Sequence, residues 1–211
     1  VDVVGTVTKY TADGKQSPLM KGDILKEGDS LSVTALSQAE LVFSNGSELT
    51  VEENTSINIA TLEQEPFSGS QSYEQLQADP SKSQTLLELN YGKLTGYTKK
   101  LRSDSKFHIQ TPVGTAAIRG TNWSVHLIFD PIREEFLFKV KNFDGEVDII
   151  SRYLGAIEYG QSSKIGDKNF DAKIDEETQE AIPADHTVNL RISKGQPGFN
   201  DLFALINNNP T

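Results

Sequence analysis

Between residues 107 and 125 the apolar positions alternate, break, and resume on the opposite parity. Phe107, Ile109 and Thr111 share one face, and Pro112 and Gly114 interrupt the run. Ala116 and Ile118 follow on one parity, whereas Thr121, Trp123, Val125, Leu127 and Phe129 occupy the other. A two-residue period is the signature of a half-buried strand, so this stretch predicts strand, turn, strand. An apolar face that changes parity needs one extra residue. Arg119-Gly120 stands at the change, which predicts a β-bulge with Gly120 in backbone angles that other residues avoid.

Shorter runs of the same kind fill the rest of the chain. Leu31, Val33 and Ala35 alternate, as do Ala39, Leu41 and Phe43; Leu49 and Val51, Ile57 and Ile59, and Leu87 and Leu89 continue the pattern. Phe136, Phe138 and Val140, then Val147 and Ile149, then Val188, Leu190 and Ile192, carry it towards the end. Asn45-Gly46 is the strongest hairpin signal, because both residues accept positive φ. Asn142-Phe143-Asp144-Gly145 predicts a turn with Val147 and Ile149 on the return strand. Strands at spacings of roughly eight to twelve residues indicate an all-β fold of stacked antiparallel hairpins, either a curled sandwich or a solenoid-like domain. Near the end, Asn200 is positioned to cap a short C-terminal helix whose Leu202, Phe203 and Ile206 face the body. The division implied is a β domain over 1–150 with a surface-loop insertion at 63–85, then a loop-rich β extension over 151–211 packed on the same domain. The insertion is rich in Glu, Gln, Ser and Gly, a disorder-prone composition, with one helical turn near Tyr73.

Charge and composition exclude several functions. Lys plus Arg number 20 against 30 Asp plus Glu, a net charge of −10, which opposes non-specific nucleic-acid binding. The absence of Cys excludes a disulfide framework, a thiolate metal site and a Cys nucleophile. No apolar run is long enough to span a membrane as a helix. The chain opens at Val1, so a processed or trimmed form, with export signal or anchor removed, is expected. His108, His126 and His186 are dispersed, and there is no nucleophile elbow, phosphate loop or dinucleotide fingerprint, so no catalytic residue and no enzyme is predicted. Lys99, Lys100, Arg102 and Lys106 form a basic cluster, readable as a solvated turn or as a contact for an acidic partner or anionic glycan.

The central stretch resembles the signature of the FecR-domain family. Thr111-Pro112-Val113-Gly114 followed by Ile118-Arg119-Gly120-Thr121-Asn122-Trp123-Ser124-Val125 matches the family pattern of Thr-Pro, small residues, Val-Arg-Gly-Thr, one residue, Phe, one residue, Val. Ile118 stands for Val and Trp123 for Phe. Gly22-Asp23, Gly28-Asp29 and Asn45-Gly46-Ser47 extend the likeness upstream, over roughly residues 1–150. The resemblance implies a bacterial cell-envelope module, periplasmic or extracellular, that works through a protein partner. Regulators of this family pass an iron-siderophore signal from an outer-membrane transporter to a sigma factor. Their cytoplasmic anti-sigma helices and membrane span are not matched in this sequence. A non-enzymatic, signal-sensing interaction module is therefore the leading reading. A structural envelope or self-assembling surface subunit is the alternative, and a hydrolase acting on polysaccharide the third.

Within the signature, Thr111, Pro112, Arg119, Gly120, Thr121 and Trp123 read as structural, with Trp123 in the core. Arg119 is expected to be a strut that caps carbonyls or a carboxylate and pins two strands together, with a binding residue as the alternative. A second candidate lies at 167–175, where the spacing resembles a calcium loop. Asp167, Asn169, Asp171, the Lys173 carbonyl and Asp175 would supply oxygen ligands at positions 1, 3, 5, 7 and 9. Ala172 stands where Gly is expected, and Thr178 where a closing carboxylate is expected. The alternative there is an acidic solvated loop.

Overall fold

The computed structural model describes residues 1–68, 72–153, 167–171 and 177–208. Strands account for nearly all of the regular structure: β1 (Asp2–Val4), β2 (Val7–Tyr10), β3 (Gln16–Pro18), β4 (Ser30–Val33), β5 (Gln38–Val42), β6 (Glu48–Val51), β7 (Thr55–Gln64), β8 (Ser83–Thr98), β9 (Lys106–Gln110), β10 (Thr115–Ile118), β11 (Thr121–Asp130), β12 (Glu135–Asn142), β13 (Val147–Ser151), β14 (Asp167–Asp171), β15 (Thr178–Ile182) and β16 (Thr187–Ser193). A single 3-10 turn, Tyr73–Gln75, and one helix, α1 (Phe199–Asn208), complete the described elements.

The strands form two layers joined through one long strand. The first layer runs β1-β5-β6-β8-β11-β12-β16-β14 and the second β3-β2-β4-β7-β8-β9-β10-β13-β15. β8 belongs to both. Its first half pairs with β7 and, in parallel, with β9, whereas its second half pairs with β6 and β11. Leu87 and Leu89 are buried on one parity, and Leu94 and Thr98 on the other. The parity changes where β8 folds from one layer onto the other, after a bulge that leaves Asn90 unpaired against β7. Gly92 makes the bend at φ +112.

The two layers enclose one continuous apolar core. Phe107 from the second layer stands with its ring centroid 5.4 Å from Phe43 and 6.0 Å from Trp123 of the first. α1 closes one part of the sandwich: Phe199 and Leu202 are buried, and the Phe199 ring lies 5.5 Å from Phe136 and 6.2 Å from Phe129. Asn200 is within the helix rather than capping it; the Leu202 N–H bonds the Gly198 carbonyl at 3.1 Å. The all-β architecture expected from strand spacing is what the chain adopts, and it is a curled sandwich.

Three further expectations are corrected. Arg119-Gly120 is not a bulge within one strand. β10 pairs with β9 and β13 in the second layer, β11 pairs with β8 and β12 in the first, and Gly120, at φ +98, carries the chain across. The parity change follows from that crossing, because the inward face of one layer is opposite to that of the layer it faces. The turn at Asn142-Phe143-Asp144-Gly145 likewise does not close a hairpin: β13 pairs with β10 and β15, not with β12. By contrast Asn45-Gly46 does join a hairpin, with Leu41 opposite Leu49 and Gly46 at φ +81. The region between β7 and β8 is shorter than expected, since β7 reaches Gln64 and β8 starts at Ser83, and Leu76, Asp79 and Ser81 within it are buried.

Candidate functional site

The Arg119–Trp123 half of the signature lies at one end of the sandwich, where several crossings between layers meet. β10 ends there, the chain passes through Arg119-Gly120, and β11 starts with Thr121 opposite Thr98 of β8. A Cβ on Gly120 would lie 2.7 Å from Lys100 Cα and 3.2 Å from the Lys99 carbonyl oxygen. A Cβ on Gly145 would lie 2.5 Å from the Gly120 carbonyl oxygen. Three chain segments therefore stack with no room for side chains between them, and the glycines at 120 and 145 are what the stacking requires.

Polar side chains pin this end. Asn142 is fully buried; its amide donates to the Gly145 carbonyl at 3.0 Å and to the Ile182 carbonyl, in the other layer, at 2.8 Å. Thr121 Oγ1 lies 2.9 Å from Asn142 Oδ1 and 3.0 Å from Asp144 Oδ1, so one hydroxyl serves the network from β11. The Asn122 backbone N–H donates to Asp144 Oδ1 at 2.6 Å, and this bond, ahead of those from Thr121 and the Asn122 amide, holds the Asp144 carboxyl below the usual carboxylate range. Trp123 is fully buried, donates its Nε1–H to Thr98 Oγ1 at 2.9 Å, and packs against Gly96, where an added Cβ would fall 2.5 Å from the indole. A second polar network sits nearby: Ser83 Oγ donates to Asp79 at 2.8 Å, Gln64 donates to the same carboxylate at 3.3 Å, and the Ser83 N–H donates to Ser105 Oγ at 2.9 Å.

The Thr111-Pro112 half of the signature lies at the other end of β9 and β10. Thr111 Oγ1 accepts the Val113 and Gly114 N–H groups at 3.2 and 3.1 Å and donates to the Gly114 carbonyl at 2.8 Å, closing the turn on itself. Ser151 Oγ donates to the Val113 carbonyl at 2.6 Å, tying that turn to β13. Pro112 is exposed.

Arg119 behaves differently from its neighbours. Its backbone N–H bonds the Glu146 carbonyl at 3.1 Å, but its side chain is exposed and makes no hydrogen bond or ion pair among the described residues. The expected strut between strands is not built; the guanidinium is presented to solvent. Lys106 and Lys100 are exposed beside it. Gly120 abuts Lys100, and Ile118 stands opposite Phe107, which places Arg119 next to Lys106. His108, half-buried on the outer face of β9, is held below its ordinary pKa chiefly by burial and then by the charges of Lys106 and Arg119. The basic cluster read from sequence thus divides. Lys99 is buried with its ammonium 4.8 Å from the Tyr97 ring, Arg102 pairs with Asp104 at 3.2 Å, and Lys100 and Lys106 join Arg119. Sequence spacing alone did not link Arg119 to the cluster, since the link runs through the Gly120–Lys100 contact.

An open cleft of about 690 Å³ lies along the edge of the sandwich, lined by Leu25, Val42, Phe43, Leu62 and Tyr73, with Asp23 and Glu40 among its polar residues. Of the calcium-loop candidates, Asp167, Asn169 and Asp171 lie in β14, which is extended and paired in parallel with β16. Lys173 and Asp175 lie outside the described residues. Among the described residues no group of three or more His, Asp or Glu is disposed to hold a metal, and no helix is long and apolar enough to cross a membrane.

These features define an all-β sandwich module whose signature builds a crossing between layers. The FecR protein family model matches residues 29–147, more than half of the chain, and the protein belongs to that family. No curated protein matches the chain. Two solved structures of a candidate anti-sigma factor from Parabacteroides distasonis, at 1.65 and 2.50 Å resolution, are similar to it at 11% identity and a TM-score of 0.46. Each covers 76% of this chain, and this chain spans about half of theirs, 53%.

Proposed function

We propose that this protein is a non-enzymatic, signal-sensing module of the bacterial cell envelope that works by contact with a protein partner on the periplasmic or extracellular side. Family membership supports the class. The observation that carries the reading is the division of labour within the signature. Thr111, Gly120, Thr121 and Trp123 are consumed by packing and hydrogen bonds, whereas Arg119, held at the bend by a buried frame, has an exposed side chain with no hydrogen bond or ion pair among the described residues. A cation kept rigidly at the surface by an otherwise structural motif is a contact residue.

A photo-crosslinking side chain at Gln110, exposed on the same outer face, and another at Lys26, on β4's approach, test this in the envelope fraction of the source organism. One discrete adduct from position 110 and none from 26 is the expected result. Reversible self-association of the purified chain by ultracentrifugation, with adducts only to itself, would favour the structural-subunit alternative instead.

A further inference from the structure

We propose that Lys100, Lys106 and Arg119 form a docking surface for an acidic, extended segment of a partner protein, with His108 and Leu86 beneath it as the apolar floor. This rests on the protein-contact reading above. Five facts support it. First, the three cations come from separate stretches of chain, the segment just after β8, the start of β9 and the β10–β11 crossing, and the fold brings them to one end. Second, none of them forms an ion pair among the described residues, in a chain that carries ten more acidic than basic groups. Third, three of the nearby carboxylates have partners, Asp104 in Arg102, Asp144 in the Asn122 N–H and the Thr121 hydroxyl, and Asp148 in the Gln179 amide, while Glu146, exposed across from Arg119, bonds it through its backbone carbonyl. Fourth, His108 feels both Lys106 and Arg119, so their charges act on one patch of surface. Fifth, β9 lies between β8 and β10, with Leu86 and Ala117 as neighbours of His108, which gives a flat, part-apolar strip rather than a pit.

The same facts select among acidic partners. A glycan is usually gripped by exposed aromatic faces, and none of the exposed aromatics stands on the β9 strip: Tyr10 lies on β2, Tyr73 in the 3-10 turn, Phe203 on α1, and Tyr97 and Phe143 have lysines over their rings, Lys99 at 4.8 Å and Lys141 at 4.3 Å. Anionic membrane surfaces are read by clusters of roughly four to eight cations, more than are gathered here. Nucleic acid is opposed by the overall charge. A short run of Asp and Glu alternating with aliphatic side chains matches both the charges and the strip between them.

The test uses the full chain and a fluorescein-labelled ten-residue synthetic peptide in which Glu alternates with Val. A second peptide carries Gln for every Glu. In low salt the wild type should bind the Glu peptide and not the Gln peptide, with affinity falling several-fold as ionic strength rises to roughly 0.5 M. The triple variant Lys100→Glu, Lys106→Glu, Arg119→Glu should lose at least tenfold in affinity. A variant with the same charge change elsewhere, Lys9→Glu, Lys15→Glu, Lys26→Glu, should stay within twofold of wild type. Thermal melts establish that each variant folds, and Arg119→Gln alone, expected to lose about threefold, substitutes if the triple variant does not. Equal losses in both triple variants would reduce the effect to net charge and overturn the proposal. So would tighter binding to heparin, or to vesicles of phosphatidylglycerol, than to the peptide. No binding of the Glu peptide, with a discrete adduct from position 110 in the envelope, would overturn the acidic assignment and leave the protein-contact reading standing.

Discussion

Gly92 and Gly120 perform the same backbone task at opposite ends of the sandwich, and what surrounds them is not alike. Each carries the chain from one layer to the other at positive φ, +112 and +98, and each leaves no space for a side chain. At Gly92 the neighbour is the body of a residue: an added Cβ would fall 2.2 Å from Thr55 Oγ1 and 2.5 Å from Thr55 Cα. Thr55 is itself fully buried, and its hydroxyl accepts the Lys93 N–H at 3.0 Å. At Gly120 the neighbours are a loop backbone, and the residue before it points a guanidinium outward. One bend is entirely internal. The other uses a similar internal frame to fix something external.

Substituting the two glycines breaks the comparison at its most sensitive point. Gly92→Val should cost the most, about 4 kcal/mol or more, because strain at positive φ adds to a clash with backbone that cannot move aside. Gly120→Val should cost less, about 2–4 kcal/mol, since the tail of β8 and the loop after it can shift. Chemical denaturation of both variants checks the order; a Gly120 variant less stable than the Gly92 variant would show that the signature end is the stiffer of the two.

The polar frame comes next. Asn142→Ala leaves the Ile182 and Gly145 carbonyls and the Thr121 hydroxyl without their buried partner and should cost about 2–3 kcal/mol. At the other bend Thr55 links the layers through the Lys93 N–H alone at normal hydrogen-bond length, so Thr55→Val removes fewer buried partners and should cost less, and reversal of that order by denaturation would contradict the division drawn here.

Between the two bends, His126 of β11 stands opposite Lys93, the residue after Gly92, and Lys139 of β12. Burial, more than any neighbour, pushes its pKa down to about 4; Lys139 and Lys93 add to the effect and Glu52 opposes it. The folded state therefore keeps the imidazole neutral in a range where the unfolded chain is protonated. Its contribution is complete above about pH 6.5 and is lost as pH falls towards 4, amounting to about 2 kcal/mol once partial exposure is allowed for. His126→Gln should flatten stability between pH 6.5 and 4. A slope unchanged in that variant would assign the effect to other groups.

How much of this was legible follows from what a sequence records. Period-two alternation gave the strands with Leu31, Ile57, Phe107, Phe136 and Leu190 facing inward, because burial acts on each side chain locally. Pairing partners were not legible. Gly46 closes a hairpin while Gly120 and Gly145 cross between layers, and the three present the same local signal of a flexible residue between apolar runs. The crossing after β4 is hidden altogether, since it places Leu36 at φ +57, a residue type that announces no turn. Asn142 looked like part of a turn and is fully buried, because one of its partners, the Ile182 carbonyl, comes from forty positions away. For Arg119 the sequence offered two roles and the weight of the motif favoured a strut; exposure is decided by the layers it passes between, which the motif does not encode.

That residue supplies the smallest expected effect on stability and the sharpest use of the comparison. If the signature end differs from the Gly92 end by presenting a side chain outward, removing that side chain should leave the fold alone. Arg119→Ala keeps the backbone N–H that bonds Glu146 and deletes only an exposed guanidinium that has no partner among the described residues. The change in stability should fall within about 0.5 kcal/mol, the range of ordinary surface substitutions. Removing a positive charge beside His108 should also let its pKa rise, because Arg119 is one of the charges that holds it down. NMR titration of His108 and a denaturation curve of the same variant read both effects together. A stable protein with a raised His108 pKa is the signature of an outward cation over a finished frame. A loss of 2 kcal/mol or more would mean that the guanidinium braces the bend, and the two ends of the sandwich would then be built on one plan.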